Sequence, residues 1–152
     1  MTVAFVGHSF LQGKNQVKEL VKNEIRRIIS STGSATFYFG GCGDFDYLCA
    51  RACKELKGEL DGIEVRYVSP YLSLTEQRKI NEIQEMGLSD ASIYPPIEEI
   101  PVRLAIIKRN EWMISRSDLV IAWVDHSFGG AYKTLSFAKA KKKRIINLAL
   151  LK

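Results

Sequence analysis

The 152-residue sequence lacks long apolar runs, and it is poor in cysteine and histidine. No apolar stretch approaches the roughly 18 residues of a membrane-spanning helix, so we expect no transmembrane segment. The chain begins directly with an apolar run of strand type, Thr2–Val6, without a basic n-region or cleavage site, so no signal peptide is expected. Three cysteines are an odd number, which argues against a secreted disulfide scaffold. We therefore expect a cytoplasmic protein.

The three cysteines, Cys42, Cys49 and Cys53, allow two interpretations. They are a possible metal-binding set, but no histidine lies near them in the sequence. Alternatively, Cys49 and Cys53 lie one turn apart on the apolar stripe of a helix and are buried, as free cysteines often are. We favour burial, and we expect neither a metal nor a cofactor.

The net charge of +5 owes much to a basic cluster at the end of the last predicted helix: Lys139, Lys141, Lys142, Lys143 and Arg144. Cations there complement the helix dipole, so a solvated helix end is one interpretation. A nucleic-acid patch is the other. No aromatic residue is interleaved with the cluster, as base stacking would require. We therefore expect a small-molecule partner and neither a nucleic-acid nor a membrane partner.

What the sequence does contain is a regular alternation of strand-type and helix-type segments. Such alternation implies parallel strands joined by right-handed crossovers. We therefore predict an α/β fold, a Rossmann-like three-layer sandwich with a mostly parallel sheet of about five strands, formed by residues 1–152 as one domain. The predicted strands are Thr2–Gly7, Ala35–Phe39, Ile63–Val68, Asp118–Val124 and Arg144–Leu150; the predicted helices are Gln16–Ile29, Asp44–Leu56, Leu74–Met86, Pro101–Ser115 and Gly130–Lys142; and Gly87–Pro96 is predicted to be a surface loop.

Two glycine-rich turns, Gly40–Asp44 and His126–Ala131, each follow a predicted strand and open a predicted helix. Free N–H groups at a helix N-terminus suit an anion, most often a phosphate. Ligands of such sheets bind beyond the carboxyl ends of the strands, where these turns fall. We therefore predict that both turns contact one nucleotide-type ligand.

Several side chains near these turns are candidates for the same site. Asp44 is predicted chiefly as a helix N-cap that also faces the cleft, and Asp46 as a partner of a sugar or base. Arg109 suits a bidentate phosphate contact, although a surface ion pair is the commoner outcome on such a helix. Tyr71 is a candidate for stacking on a base. The complete predicted ligand-binding set is Gly7, His8, Ser9, Gly40, Gly41, Cys42, Gly43, Asp44, Asp46, Tyr71, Arg109, His126, Ser127, Phe128, Gly129 and Gly130.

The order of these motifs resembles the SLOG superfamily, in particular its small single-domain YpsA/YoqJ-like branch. The resemblance runs from Gly7-His8 through the segment 37–46, Arg109-Asn110-x-Trp112-Met113, Ser117-Asp118 and the segment 126–130 to Leu148. SLOG also contains the LOG phosphoribohydrolases and the DNA-processing DprA proteins. The resemblance implies a nucleotide-derived ligand and a homodimer. The helix around Ile106 and Ile107 has more apolar surface than one buried face needs, with Trp112 as core or interface residue.

The chain departs from the related enzymes at their catalytic carboxylates. LOG proteins carry a glutamate where this chain has Tyr47, and deoxyribosyltransferases carry one in the stretch that here ends at Thr134. Cleavage of a glycosidic bond needs such a carboxylate. We therefore predict a nucleotide-binding sensor or sequestering module. The alternative is an N-glycosidic hydrolase or transferase with Asp46 or Asp125 as substitute carboxylate; a DprA-like nucleic-acid-binding protein is a third, less favoured, hypothesis.

Overall fold

The computed structural model describes residues 1–151, and within them six parallel strands form one sheet in the order β4-β3-β2-β1-β5-β6. The strands are β1 (Thr2–Gly7), β2 (Ala35–Phe39), β3 (Ile63–Val68), β4 (Ala91–Ile93), β5 (Leu119–Trp123) and β6 (Arg144–Asn147), and the helices are α1 (Lys14–Thr32), α2 (Asp44–Lys57), α3 (Leu74–Glu85), α4 (Ala105–Arg116) and α5 (Gly130–Ala140), with 3₁₀ turns at Val102–Leu104 and Leu148–Leu150. The predicted Rossmann-like α/β fold is confirmed, with six strands rather than about five.

The sixth strand, β4, lies in the stretch that was predicted to be a loop. Its three residues pair in parallel with β3, where Arg66 is opposite Ala91 and Val68 is opposite Ile93. A strand this short, followed closely by Pro95-Pro96, has too few residues to show an apolar run or an alternating pattern. The last strand is also shorter than predicted, because the side chain of Asn147 accepts a hydrogen bond from the N–H of Ala149 and starts a 3₁₀ turn.

Helices cover both faces of the sheet, as the continuous apolar character of its central strands predicts. On β1, Val3 and Phe5 belong to the core on the side of α1 and α2, whereas Ala4 and Val6 belong to the core on the side of α4 and α5. Trp112 packs in this second layer, with its ring 5.8 Å from that of Tyr38.

Cys49 and Cys53 are fully buried in the first layer, in agreement with the favoured interpretation of the cysteine pattern. Burial raises the pKa of both thiols, which makes them poor nucleophiles. Cys42, by contrast, is exposed. No helix among residues 1–151 is both long enough and apolar enough to cross a membrane.

Candidate functional site

A cavity of about 460 Å³ opens at the carboxyl edge of the sheet, between β1 and β5. The strand order reverses here, because β1 is followed by β2 on one side while the chain later returns to β5 on the other. Such a reversal is where parallel α/β sheets hold their ligands. The cavity is lined by Phe5, Val6, Gly7, His8, Ser9, Phe10, Gly40, Cys42, Asp46, Ile106, Asn110, Met113, His126, Phe128, Gly129, Gly130, Ala131 and Thr134.

The structure gathers many, but not all, of the predicted ligand-binding residues around this cavity. Those that line it are Gly7, His8, Ser9, Gly40, Cys42, Asp46, His126, Phe128, Gly129 and Gly130; those that do not are Gly41, Gly43, Asp44, Tyr71, Arg109 and Ser127. Tyr71 lies instead beside a second cavity near the start of α3.

The first glycine turn is packed against the protein itself. The N–H of Cys42 donates to Oδ2 of Asp46 (3.1 Å), and the N–H of Asp44 donates to the carbonyl of Ser9 (2.9 Å). A Cβ added to Gly43 would lie 2.3 Å from Cα of Ser9, so glycine is required there for close approach. The anion-binding donors predicted for this turn are thus already used in part.

Arg109 lies directly beneath the first turn, with none of its surface exposed. Its Nη1 donates to the carbonyls of Gly40 (2.9 Å) and Val68 (2.8 Å), and its Nη2 lies 2.9 Å from Sγ of Cys42. The expected surface ion pair is therefore wrong. The sequence contained the relevant pattern, because Arg109 lies four residues from each of Ala105 and Met113, on one buried helical stripe.

The two aspartates of α2 have different roles. Asp44 is the first residue of the helix and Gly43 is the cap, so the predicted N-cap is wrong. Oδ2 of Asp44 accepts from the N–H of Leu11 (3.0 Å), and this bond holds the pKa of Asp44 below its usual range. Asp46 lines the cavity, and burial raises the pKa of its carboxyl.

The second glycine turn is open. Gly129 has φ of 90°, in the region that favours glycine, and α5 begins at Gly130 with no side-chain cap from any residue of the described chain. Apart from its chain neighbours and the backbone of α5 itself, a Cβ added to Gly129 or Gly130 would meet no atom of residues 1–151 within 4 Å. The side-chain positions of Gly129 and Gly130 thus lie open beside the cavity, and the N-terminus of α5 has no side-chain cap.

Two histidines and an aspartate adjoin this turn. The rings of His8 and His126 stack at 3.6 Å, and Oδ1 of Asp125 lies 3.2 Å from Nε2 of His8 and 2.9 Å from Nδ1 of His126. Burial, with a smaller effect of His126, lowers the pKa of His8. These three ligand atoms lie within 4.8 Å of one another. The two rings are nearly parallel (7°) and stacked with centroids 3.6 Å apart, so a single ion does not lie in the planes of both imidazoles.

Two polar residues that the ligand-binding prediction omitted connect the two turns. Oδ1 of Asn110 accepts from Nε of Arg109 (2.8 Å), and Nδ2 of Asn110 lies 3.4 Å from Oγ1 of Thr134. Oγ1 of Thr134 in turn donates to the carbonyl of Gly130 (3.0 Å). Phe10 was also omitted, because it lies beyond the predicted first strand in a segment without a pattern; it is 72% exposed at the cavity.

Comparison with known proteins identifies the fold. No protein-family model and no curated protein matches the chain. DNA processing protein A from Helicobacter pylori, described by its single-stranded DNA binding mode, matches 95% of this chain with 20% identity and a TM-score of 0.62. DprA from Streptococcus pneumoniae matches with 18% identity and a TM-score of 0.65, and the structural-genomics target TM1055 with 14% and 0.58. The chain spans 63%, 48% and 71% of these three proteins.

At 14–20% identity these structures show that the chain shares their fold, and they show no more than the fold. They contradict the expectation that excluded nucleic acid, because a protein with this fold binds single-stranded DNA. The expectation was based on the absence of aromatic residues from the basic cluster at the end of the last helix, and it left out aromatic residues elsewhere in the chain. The structure instead places two exposed aromatic side chains, Phe10 and Phe128, at the carboxyl edge of the sheet.

Proposed function

We propose that this protein binds a nucleotide or nucleotide-derived ligand in the cavity between β1 and β5, with a phosphate at the turn Gly129–Gly130. The observation that carries the proposal is the uncapped N-terminus of α5 beside a 460 Å³ cavity at the reversal of strand order. This volume is in the range of small-molecule sites, about 300–1,000 Å³. Helix N-termini bind phosphate through their free N–H groups and dipole.

The first glycine turn has a different part in this proposal. Gly40 and Cys42 form a wall of the cavity, and Asp46 offers a carboxylate to a sugar hydroxyl or a base N–H. A carboxylate repels phosphate, so the phosphate belongs at the second turn. We therefore assign phosphate binding to one turn and the uncharged part of the ligand to the other.

Gly130→Asp tests the proposal, with Gly130→Asn as the matched neutral control. The open space around Gly130 admits either side chain, and an aspartate in the first turn of a helix favours the helix dipole. We expect the wild type and Gly130→Asn to show a thermal shift with a nucleotide panel, and Gly130→Asp to lose it. A wild type that no nucleotide shifts, or a Gly130→Asp protein that binds normally, contradicts the proposal.

We propose binding without turnover, as a sensor or sequestering module, because Tyr47 and Thr134 stand where related enzymes carry glutamate. The alternative is glycosidic cleavage with Asp46 or Asp125, and Asp46 does line the cavity. Incubation with nucleoside monophosphates distinguishes the two. Release of free base that disappears in Asp46→Asn or Asp125→Asn establishes the enzyme and contradicts the binding module.

Single-stranded DNA is a second candidate ligand, favoured by the DNA-binding mode of the H. pylori DprA that shares this fold. Fluorescence anisotropy with a labelled oligothymidylate tests it at two salt concentrations. Strand binding predicts an affinity that falls steeply with salt, because phosphate contacts release counterions.

We also propose that residues 1–152 act as one domain. Self-association through α4 stays a prediction: Ile106 and Ile107 are 39% and 48% exposed, whereas Trp112 packs against Tyr38. Light scattering of the wild type and of Ile107→Lys gives the mass that decides it. A monomeric wild type rules out the homodimer.

A further inference from the structure

A second cavity, of about 660 Å³, lies at the carboxyl ends of β3 and β4, beside the start of α3. It shares no lining residue with the cavity between β1 and β5. Much of its wall is apolar or aromatic, and among the lining residues that the structure describes only Glu76 is charged. The apolar and aromatic lining residues are Tyr71, Leu72, Leu74, Ile80, Ile93 and Tyr94.

Glu76 is buried in this wall, with 6% of its surface exposed. Its Oε2 accepts hydrogen bonds from the hydroxyls of Tyr67 and Ser69, each at 2.7 Å, and both donors are neutral. Its Oε1 accepts from no residue of the described chain and is not fully enclosed, so this oxygen is open to the cavity. The carboxylate therefore has one oxygen left for a donor that comes from outside the chain.

The start of α3 offers this carboxylate another partner, which it does not use. Ser73 and Glu76 have the spacing of a capping box, and Oγ of Ser73 accepts from the N–H of Glu76 (3.1 Å). In a complete box the glutamate would reach back to the N–H of the serine. Here its carboxylate turns to Tyr67 and Ser69 instead. The side chain that would complete the cap thus forms part of the cavity wall.

No cation of residues 1–151 pairs with Glu76. The N-terminus of α3 supplies only about half a unit of positive charge. Two cations lie near Tyr67, but Lys79 donates to the carbonyl of Gly41 (2.9 Å), Arg109 donates to two other carbonyls, and neither lines this cavity. A buried carboxylate is normally paired with a cation, so a cationic ligand is the partner that the cavity lacks.

From the open carboxylate oxygen and the apolar walls together, we propose that this second cavity binds a small organic ammonium compound, with its charged head on Glu76. Leu72 and Leu74 line the cavity and are 74% and 81% exposed, so the apolar part of such a ligand would remove their area from water. The rings of Tyr71 and Tyr94 also line it, and aromatic faces attract cations. The inference does not rest on the proposed nucleotide site, because the two cavities have no lining residue in common.

Calorimetry at pH 7 with three probes of nearly equal shape tests the inference. The probes are the cation 2-phenylethylammonium, the neutral 2-phenylethanol and the anion 3-phenylpropionate. We expect the ammonium to bind at least about tenfold more tightly than the alcohol, because a hydrogen bond to a charged group is lost, and the anion not to bind. A wild type that binds the ammonium no more tightly than the alcohol, or not at all, overturns the inference.

Glu76→Gln isolates the charge, because glutamine keeps an oxygen acceptor for Tyr67 and Ser69. We expect this variant to bind the ammonium at least about tenfold more weakly than the wild type. Glu82→Gln is the matched control, since Glu82 is exposed on the same helix and does not line the cavity. Unchanged binding by Glu76→Gln, or an equal loss in Glu82→Gln, overturns the inference.

A second pair of variants tests the cavity without altering a buried group. Gln77 lines the cavity from an exposed position of α3, so Gln77→Lys and Gln77→Glu add opposite charges at its edge. We expect Gln77→Lys to weaken ammonium binding and Gln77→Glu to strengthen it. Equal affinities of the two variants overturn the inference. So does ammonium binding that Asp46→Asn abolishes and Glu76→Gln retains, because the amine then lies in the cavity between β1 and β5.

Discussion

The two glycine turns have the same sequence pattern, strand-glycines-helix, and opposite surroundings. At the turn of β2 and α2, a Cβ on Gly40 would lie 2.7 Å from the Arg109 guanidinium carbon and one on Gly43 would lie 2.3 Å from Ser9. At the turn of β5 and α5, a Cβ on Gly129 or Gly130 would meet nothing in residues 1–151 within 4 Å. Glycine is thus required for packing in the first turn and leaves room for a ligand in the second.

The position of each turn in the sheet contributes to this difference. β2 lies between β1 and β3, so the turn after it is enclosed by groups from the β1 edge, from β3 and from α4. Ser9, Tyr67 and Arg109 supply these groups. Both turns border the cavity, but no residue of the described chain packs in this way against Gly129 or Gly130. A glycine-rich turn alone therefore does not identify a phosphate site; the empty space around it must be known as well.

Among the substitutions that test this comparison, replacement of Arg109 should lower the free energy of unfolding the most. Arg109→Met leaves the carbonyls of Gly40 and Val68 without their donor, and each buried unsatisfied group costs about 1–3 kcal/mol. We expect the free energy of unfolding in urea to fall by about 2–6 kcal/mol, or the protein not to fold. Arg103→Met, in the exposed 3₁₀ turn that precedes the same helix, should change it by less than about 0.5 kcal/mol. Equal effects of the two substitutions would contradict the structural role of Arg109.

Alanine substitutions should have the next largest effect, and they should change the stability of the protein differently in the two turns. Gly43→Ala forces a methyl group against the Ser9 backbone and should destabilise the protein by about 1–3 kcal/mol, the usual cost of overpacking. Gly130→Ala meets no neighbour and should leave stability unchanged or raise it by up to about 1 kcal/mol, because alanine favours a helix over glycine. Urea unfolding measures both. A larger loss for Gly130→Ala would show that the second turn is not open.

The sequence predicts the layers of this fold well, because the apolar runs of β1 and β5 and the helical stripes of α1 and α2 are long enough to show their period. It does not predict β4, whose three residues carry no pattern. For the candidate site, the sequence indicates which turns lie at the carboxyl edge of the sheet, because this follows from the alternation of strand-type and helix-type segments. It does not indicate that Arg109 is buried against Gly40, because that contact joins residues 69 positions apart. Nor does the turn pattern reveal Phe10, which lines the cavity but follows β1 in a segment without an apolar pattern.

The smallest expected effect concerns Asp44 and Asp46, two carboxylates of the closed turn with opposite pKa shifts. Burial raises the pKa of Asp46, so its ionised form destabilises the fold at neutral pH, and this cost disappears as the pH falls through that raised pKa towards the unfolded value near 3.8. The hydrogen bond from Leu11 lowers the pKa of Asp44, so its ionised form stabilises the fold at neutral pH, and that contribution disappears as the pH falls through the lowered pKa.

Asp46→Asn should therefore raise the melting temperature at pH 7 by a few degrees, and Asp44→Asn should lower it. Both differences from the wild type should shrink on acidification, and differential scanning calorimetry across the acid range measures them.

The nucleotide proposal adds a second measurement, because a carboxylate kept at a cost in stability is expected where it contacts a ligand. Asp46→Asn should weaken nucleotide binding while it stabilises the free protein, whereas Asp44→Asn should affect stability alone. An Asp46→Asn protein that is less stable than the wild type at pH 7 would show that the carboxylate serves the wall of the closed turn and would remove Asp46 from the site.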